Sequence, residues 1–216
     1  MTKETGKDRP KWRRRAEARP DEVLDAALDL FIAHGFAATR VEDIAGRAGL
    51  SKGAVYLYFD SKEAILEALV RRSIVPVAKN AVEMARSAPG DPRDVIRMMV
   101  TLVAGRIGDP RISAIPRLII AESGNFPRLA KMYREEVLDR ALTALETLIR
   151  TGVERGVFRP VDPRLAVRNV VGPMLAHALL AGVFGITEGD GADPRRFVES
   201  HLDILLNGLA VEREET

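Results

Sequence analysis

The chain of 216 residues has no cysteine. That excludes disulfides, thiolate metal sites, cysteine nucleophiles and thiol redox chemistry together. Histidine is scarce: His34, His177 and His201 are the only three. None stands at ligand spacing from another histidine or a carboxylate, so all are expected to be packed or surface histidines and no metal is expected. Alternating strand patterns are almost absent, and with them any glycine-rich phosphate loop following a strand. Glu135 and Glu136 are neighbours on a predicted helix and point apart, which makes a poor acid/base pair. No nucleophile has a base at a recognisable spacing, so neither an enzyme nor a cofactor is expected.

Long apolar runs are also lacking, with one exception. Val170 to Ile186 is interrupted only by His177. It falls short of a usual membrane span and contains Gly172, Pro173, Gly182 and Gly185. A buried helix is the expectation there, and no membrane partner. The first twenty residues are polar and basic, unlike a signal peptide, and the expected location is cytoplasmic. What is present is ordinary for a soluble globular protein: 46% hydrophobic and 30% charged residues. At this length one large domain or two small ones can form, and roughly 70% of the unfolded surface can be buried.

The net charge of +2 is unevenly placed. Residues 1–19 carry eight lysines and arginines against Glu4, Asp8 and Glu17, so the remainder is mildly acidic. A basic arm on an acidic body suggests a polyanion partner.

Apolar residues recur at helical spacing, as in Val23, Ala27, Leu30 and Phe31. The punctuation is legible. Asp-Pro occurs at Asp91, Asp109, Asp162 and Asp193, each an N-cap followed by the residue that needs no N–H. Thr39 to Glu42 and Asp60 to Glu63 fit capping boxes. Gly35, Gly49, Gly108 and Gly156 fit left-handed C-caps. These signals predict an all-α protein of about nine helices: 20–34, 40–47, 51–57, 61–87, 92–107, 111–122, 127–155, 163–184 and 194–209. Pro76 should kink or break the fourth. The layout reads as a basic arm at 1–19, a small head at 20–66 and a helical body at 67–216.

Function is most legible between Arg40 and Phe59. Two short helices flank Ala48-Gly49-Leu50, with apolar Ile44 and Ala45 before it and Val55 and Phe59 after it. A short turn with glycine, followed by a capping Ser51, suits a helix-turn-helix at about 40–59. With 51–57 in a DNA major groove, Lys52 can donate to guanine O6 and N7, and Ala54 can touch a thymine methyl. Gly53 lets backbone approach the DNA. Tyr56 and Tyr58 can donate to phosphate oxygens at the groove's flank. Lys62, near a helix start, is a further phosphate candidate.

The stretch TRVEDIAGRAGLSKGAVYLYFDSKEAIL resembles the DNA-binding motif of the TetR family of bacterial transcriptional regulators, with the likeness running from about Asp21 through Leu66. The resemblance implies an all-helical homodimer, each subunit having a three-helix DNA-binding head and a ligand-binding body. It places Thr39 with the DNA-facing motif, and Arg40 where many members have a threonine near phosphates. RGVFRPVDP, from Arg155 to Pro163, resembles a connection after which two final helices, here 163–184 and 194–209, form the dimer interface. Gly172, Ala176 and Ala178 would allow close approach there. The function so implied is a repressor that binds a palindromic operator in double-stranded DNA and is released by a small, mostly apolar effector. Candidate pocket residues are Met98, Met99, Leu102, Ile119, Met132, Tyr133 and Phe184, since methionines suit an adaptable pocket. Arg106, Asn169 and His177 are candidate polar contacts. The competing reading from another class is a helical ligand-binding protein whose head has lost its DNA role; the intact Lys52, Tyr56, Tyr58 and Lys62 set argues against it.

Overall fold

The computed structural model describes residues 11–87, 90–186 and 194–210. Eleven α-helices run through them. In the first part these are α1 (Lys11–His34), α2 (Val41–Arg47), α3 (Lys52–Tyr56) and α4 (Lys62–Ser73). Then follow α5 (Val75–Ser87), α6 (Pro92–Ile107), α7 (Pro110–Glu122), α8 (Pro127–Tyr133) and α9 (Asp139–Glu154). The last two are α10 (Pro163–Phe184) and α11 (Pro194–Leu209). Among the described residues β pairing is limited to an isolated bridge between Phe158 and Ala210. The chain divides at Leu69 and Val70 into two compact units.

The boundaries follow local chemistry, with instructive shifts. Asp91, Asp109 and Asp162 each accept from the backbone N–H two residues on, at 2.9, 2.8 and 2.8 Å. Asp193 lies outside the described residues. Both expected capping boxes move by one position. Arg40, not Thr39, precedes α2, and its N–H donates to Asp43 at 3.1 Å. Ser61, not Asp60, caps α4 by accepting from the Ala64 N–H at 3.1 Å. Gly35, Gly49 and Gly156 have positive φ as expected. Gly108 does not: its φ is −63°, because Asp109 starts the next helix at once and leaves no room for a left-handed residue.

Three helices differ in extent from the expectation. α1 begins at Lys11 rather than residue 20, so part of the expected arm is helical and Pro20 lies inside the helix. Residues 1–10 of that arm lie outside the described residues. The expected helix 61–87 breaks at Ile74, two residues before Pro76, whose ring cannot accommodate the carbonyl four residues back. The expected helix 127–155 is interrupted by a π-helical turn at Arg134–Leu138, a wider turn that inserts one residue into the ladder.

The head buries Val23, Ala27 and Phe31 along α1 against Ile44, Val55 and Ile65. Burial of side chains this size contributes about 1.5–3 kcal/mol each. The body core gathers Ile96, Met99, Ile149, Phe158, Val170 and Leu202. On α9 the buried residues are Leu145, Leu148, Ile149 and Gly152, the one-face spacing of an amphipathic helix. Gly152 belongs there because a Cβ would overlap the buried ring of Phe158. The ring folds back over it through Gly156, whose φ of +68° turns the chain.

α10 is the one helix, among the described residues, long and apolar enough to cross a membrane by length and composition. Within its own chain it is buried along one side only. Ala166, Val167, Val170 and Met174 face inward, whereas Leu165, Leu180 and Val183 are 56%, 43% and 58% exposed. Gly172 and Ala176 are exposed with them.

Gly152→Ala should lower the body's stability by about 1–3 kcal/mol, because the Phe158 ring must leave its site. Urea unfolding checks this; an unchanged midpoint would mean the ring repacks freely.

Candidate nucleic-acid interface

α2 and α3 are short and are held by backbone chemistry rather than by length. After α2 the Leu50 N–H donates to the Ala45 carbonyl at 2.9 Å, and the Gly49 N–H to Gly46 at 3.2 Å. This nested pair with Gly49 at φ +66° is a Schellman motif. It engages the Ala45 and Gly46 carbonyls near the end of α2 and redirects the chain sharply. Ser51 then caps α3, its hydroxyl accepting from the Ala54 N–H at 3.2 Å. Only Val55 of α3 is buried, so it pins the helix while the rest of its surface stays outward.

That outward surface carries most of the expected reading residues. Lys52 and Gly53 are exposed and Ala54 is partly so. A Cβ at Gly53 would meet nothing within 4 Å, so the space beside its backbone is open. Tyr56 and Tyr58 are 42% and 38% exposed, and between them Leu57 is 82% exposed. Leu57 was missed by sequence reasoning: an apolar residue beside buried Val55 looks like core until the length of α3 is known. Glu42 was missed as well. Its Oε1 lies 2.5 Å from Lys52 Nζ, and Lys52 also lies 5.9 Å from the Tyr56 ring. The hydrogen bond from Lys52 holds the Glu42 carboxyl below its ordinary range, and the same bond raises the Lys52 ammonium. Both groups are charged at neutral pH.

Two expected DNA contacts also bond within the head. Lys62 Nζ donates to the carbonyls of Phe36, Ala37 and Thr39, at 2.6, 3.2 and 2.9 Å. An ammonium has three donors, and these three carbonyls engage all of them. The Phe36 ring lies beneath it, 4.4 Å from centroid to Nζ. Thr39 is 3% exposed, and its hydroxyl donates inward to the Gly35 carbonyl at 2.8 Å, with Leu30 O at 3.3 Å. Lys62 and Thr39 therefore build the turn between α1 and α2. Arg40 remains outward at the start of α2, while Arg47 ties α2 to α1 through Asp29 at 2.7 Å.

In the body the expected pocket residues differ widely in exposure. Met98 and Phe184 are 47% and 70% exposed, and Arg106 and Asn169 are exposed too. Met99 belongs to the core cluster. Ile119 and Met132 are buried, and Leu102 is partly so. His177 stacks on Phe197 at 4.1 Å, and Phe197 in turn on His201 at 6.0 Å. His201 bonds through Nε2 to the Val170 carbonyl at 3.0 Å, so this stack joins α10 to α11. Tyr133 is partly buried beside the π turn, and burial pushes its hydroxyl up to about 12. It has no hydrogen-bond partner among the described residues. An open groove of about 1030 Å³ between α5 and α9 is rimmed by Lys79, Arg86, Arg140 and Arg155. None of the expected pocket residues lines it.

A short capped helix held across a glycine turn, followed by a separate helical body, is the architecture of a helix-turn-helix regulator of transcription. The profile of bacterial regulatory proteins of the tetR family matches residues 23–69, and that of the tetracyclin repressor-like C-terminal domain matches residues 87–213. The chain belongs to the TetR family of bacterial transcriptional regulators. It is similar to the HTH-type transcriptional regulator EthR of Mycolicibacterium smegmatis, 26% identical over 205 residues, spanning 93% of this chain and 92% of that one. The HTH-type transcriptional repressor KstR2 of Rhodococcus jostii is 28% identical over 197 residues, 89% of this chain and 91% of the relative. Among solved structures, SmeT, the repressor of the Stenotrophomonas maltophilia multidrug efflux pump SmeDEF, superposes with a TM-score of 0.73. Its identity is 26%, over 89% of this chain and 91% of that one. These relatives regulate transcription and are not enzymes.

Lys62→Ala should lower head stability by about 2 kcal/mol through loss of charged hydrogen bonds, yet leave the salt slope of DNA binding as in wild type. Thermal unfolding and salt titrations test this; a slope smaller by about one would return Lys62 to the phosphate contacts.

Proposed function

We propose that the protein is a cytoplasmic homodimeric repressor that binds a palindromic operator and is released by a small, mostly apolar effector. The observation that carries this reading is the outer surface of α3. Lys52, Gly53 and Ala54 offer a donor, an open backbone and a methyl where base edges would lie, and Tyr56 and Tyr58 flank them. Exposed positions of this kind suit a major groove, which admits one helix.

The dimer is supported by the outer face of α10. Leu165, Gly172, Ala176, Leu180 and Val183 lie at helical spacing, and Ile204 of α11 is 70% exposed. Small residues one turn apart let a second helix approach closely. A two-fold pair would place two α3 helices in successive major grooves, roughly 34–36 Å apart. The effector reading is supported by Tyr133, a partly buried residue beside a π turn whose hydroxyl has no hydrogen-bond partner among the described residues; such turns recur at functional sites. Release requires an effector that favours one state over the other, with a coupling of about 1–3 kcal/mol. α4 and α5, jointed at Ile74, are the proposed carrier of that signal. Structures with and without effector that keep the same α3 spacing would sink this part.

The whole reading is tested by fluorescence anisotropy on DNA from upstream of the gene and on scrambled DNA, at two salt concentrations. Selective binding that falls steeply with salt supports it; equal weak binding to both DNAs, and to every pool of a random-sequence selection, overturns it.

Lys52→Ala should cost about 1–3 kcal/mol and relax base preference, while Tyr56→Phe weakens all sites more evenly. Ile204→Lys should shift the protein to monomer in analytical ultracentrifugation and abolish tight operator binding. Tyr133→Phe should weaken effector release without changing operator affinity, measured by anisotropy once an effector is found.

A further inference from the structure

Glu42 is the second residue of α2 and Lys52 the first of α3. Their charged atoms are 2.5 Å apart, and both side chains are about half exposed, at 54% and 52%. An exposed pair of this kind adds little to stability, and the turn between the helices is already held by the Gly49 motif and the Ser51 cap. The pair does something else: it presents a donor and an acceptor side by side at the leading end of the reading helix.

A G·C base pair presents the complementary arrangement in the major groove. Guanine offers N7 and O6 as acceptors, and next to them cytosine offers its N4 amino group as a donor. We propose that Glu42 and Lys52 act as one unit that reads a single G·C pair in each half-site. Lys52 Nζ donates to guanine O6 and N7, and the Glu42 carboxylate accepts from cytosine N4. The donor count closes: one of the three ammonium protons serves Glu42 and two serve guanine. The carboxylate keeps acceptor sites free for the amino group. A T·A pair fits less well, because it offers Lys52 one acceptor, O4, and sets a methyl group beside it. Gly53 supports the approach, since the space beside its backbone is open.

Glu42 carries a cost that makes the idea testable. A carboxylate near the DNA repels phosphates, so a Glu42 that only neutralised Lys52 would weaken binding to every sequence alike. A Glu42 that reads cytosine is favourable at one base pair only.

The inference rests on α3 being the reading helix. The test is a random-sequence selection with the full-length wild-type protein, followed by anisotropy titrations. These use the selected operator and versions with the G·C pair changed in both half-sites. Wild type should prefer G·C there by about tenfold or more. Glu42→Ala and Lys52→Ala should both lose preference at that same base pair and keep it elsewhere. Glu42→Gln, which keeps an acceptor oxygen, should restore part of it. Uniformly tighter binding of Glu42→Ala to all sequences would overturn the proposal, as would relaxation of different base pairs by the two alanine variants. A wild-type protein that selects no sequence would overturn the reading-helix assignment along with it. A clear operator whose preferences survive Glu42→Ala would remove this inference alone.

Discussion

The head depends on one ammonium group. Lys62 stands at the first turn of α4, yet its three donors are spent on the carbonyls of Phe36, Ala37 and Thr39. Those carbonyls lie just past the end of α1, where a helix is already electronegative. Without a cation they would be left to water in a turn packed against Phe31 and Phe36, whose rings sit 5.1 Å apart. With it, the path from Gly35 to Arg40 is fixed, and so is the point at which α2 begins. The position of α2 then sets the glycine turn, and the turn sets α3. A helix of five residues such as α3 has too few internal hydrogen bonds to hold itself; it borrows its order from this chain of contacts.

This explains why much of the molecule was legible in the sequence and some of it was not. Caps and stops are local. An Asp before a Pro satisfies its own helix start whatever the rest of the chain does, and three such pairs behave as read. The exceptions are also local rules, outcompeted at short range. Gly108 had the right residue type for a left-handed stop, but the next cap arrived too soon. Thr39 had the right type for a cap, but its hydroxyl found the Gly35 carbonyl instead. Lys62 has a structural role that its sequence does not announce, for a different reason. Its three partners lie 23 to 26 positions earlier, and no periodicity announces a contact that distant.

The body was legible as helices and opaque as a site. Amphipathic spacing tells which face of α9 turns inward, because burial is a property of a single helix face. Which side chains surround a ligand depends on how several helices cross, and that leaves no mark in any one of them. Met99 is core, Met98 and Phe184 are surface, and His177 stacks on Phe197. Tyr133 combines partial burial with a hydroxyl that has no protein partner among the described residues.

The outer face of α10 has one further consequence, for gene dosage. An apolar strip of Leu165, Leu180 and Val183 left in water is unfavourable, and anything that covers it stabilises the folded chain by mass action. If a second copy is the cover, folding and abundance are linked. A scarce regulator would be less stable than an abundant one, and more of it would be lost to proteolysis. Such a protein sets a floor on its own useful copy number: below that level its population thins faster than synthesis alone would dictate, and control of the gene is released without any effector at all.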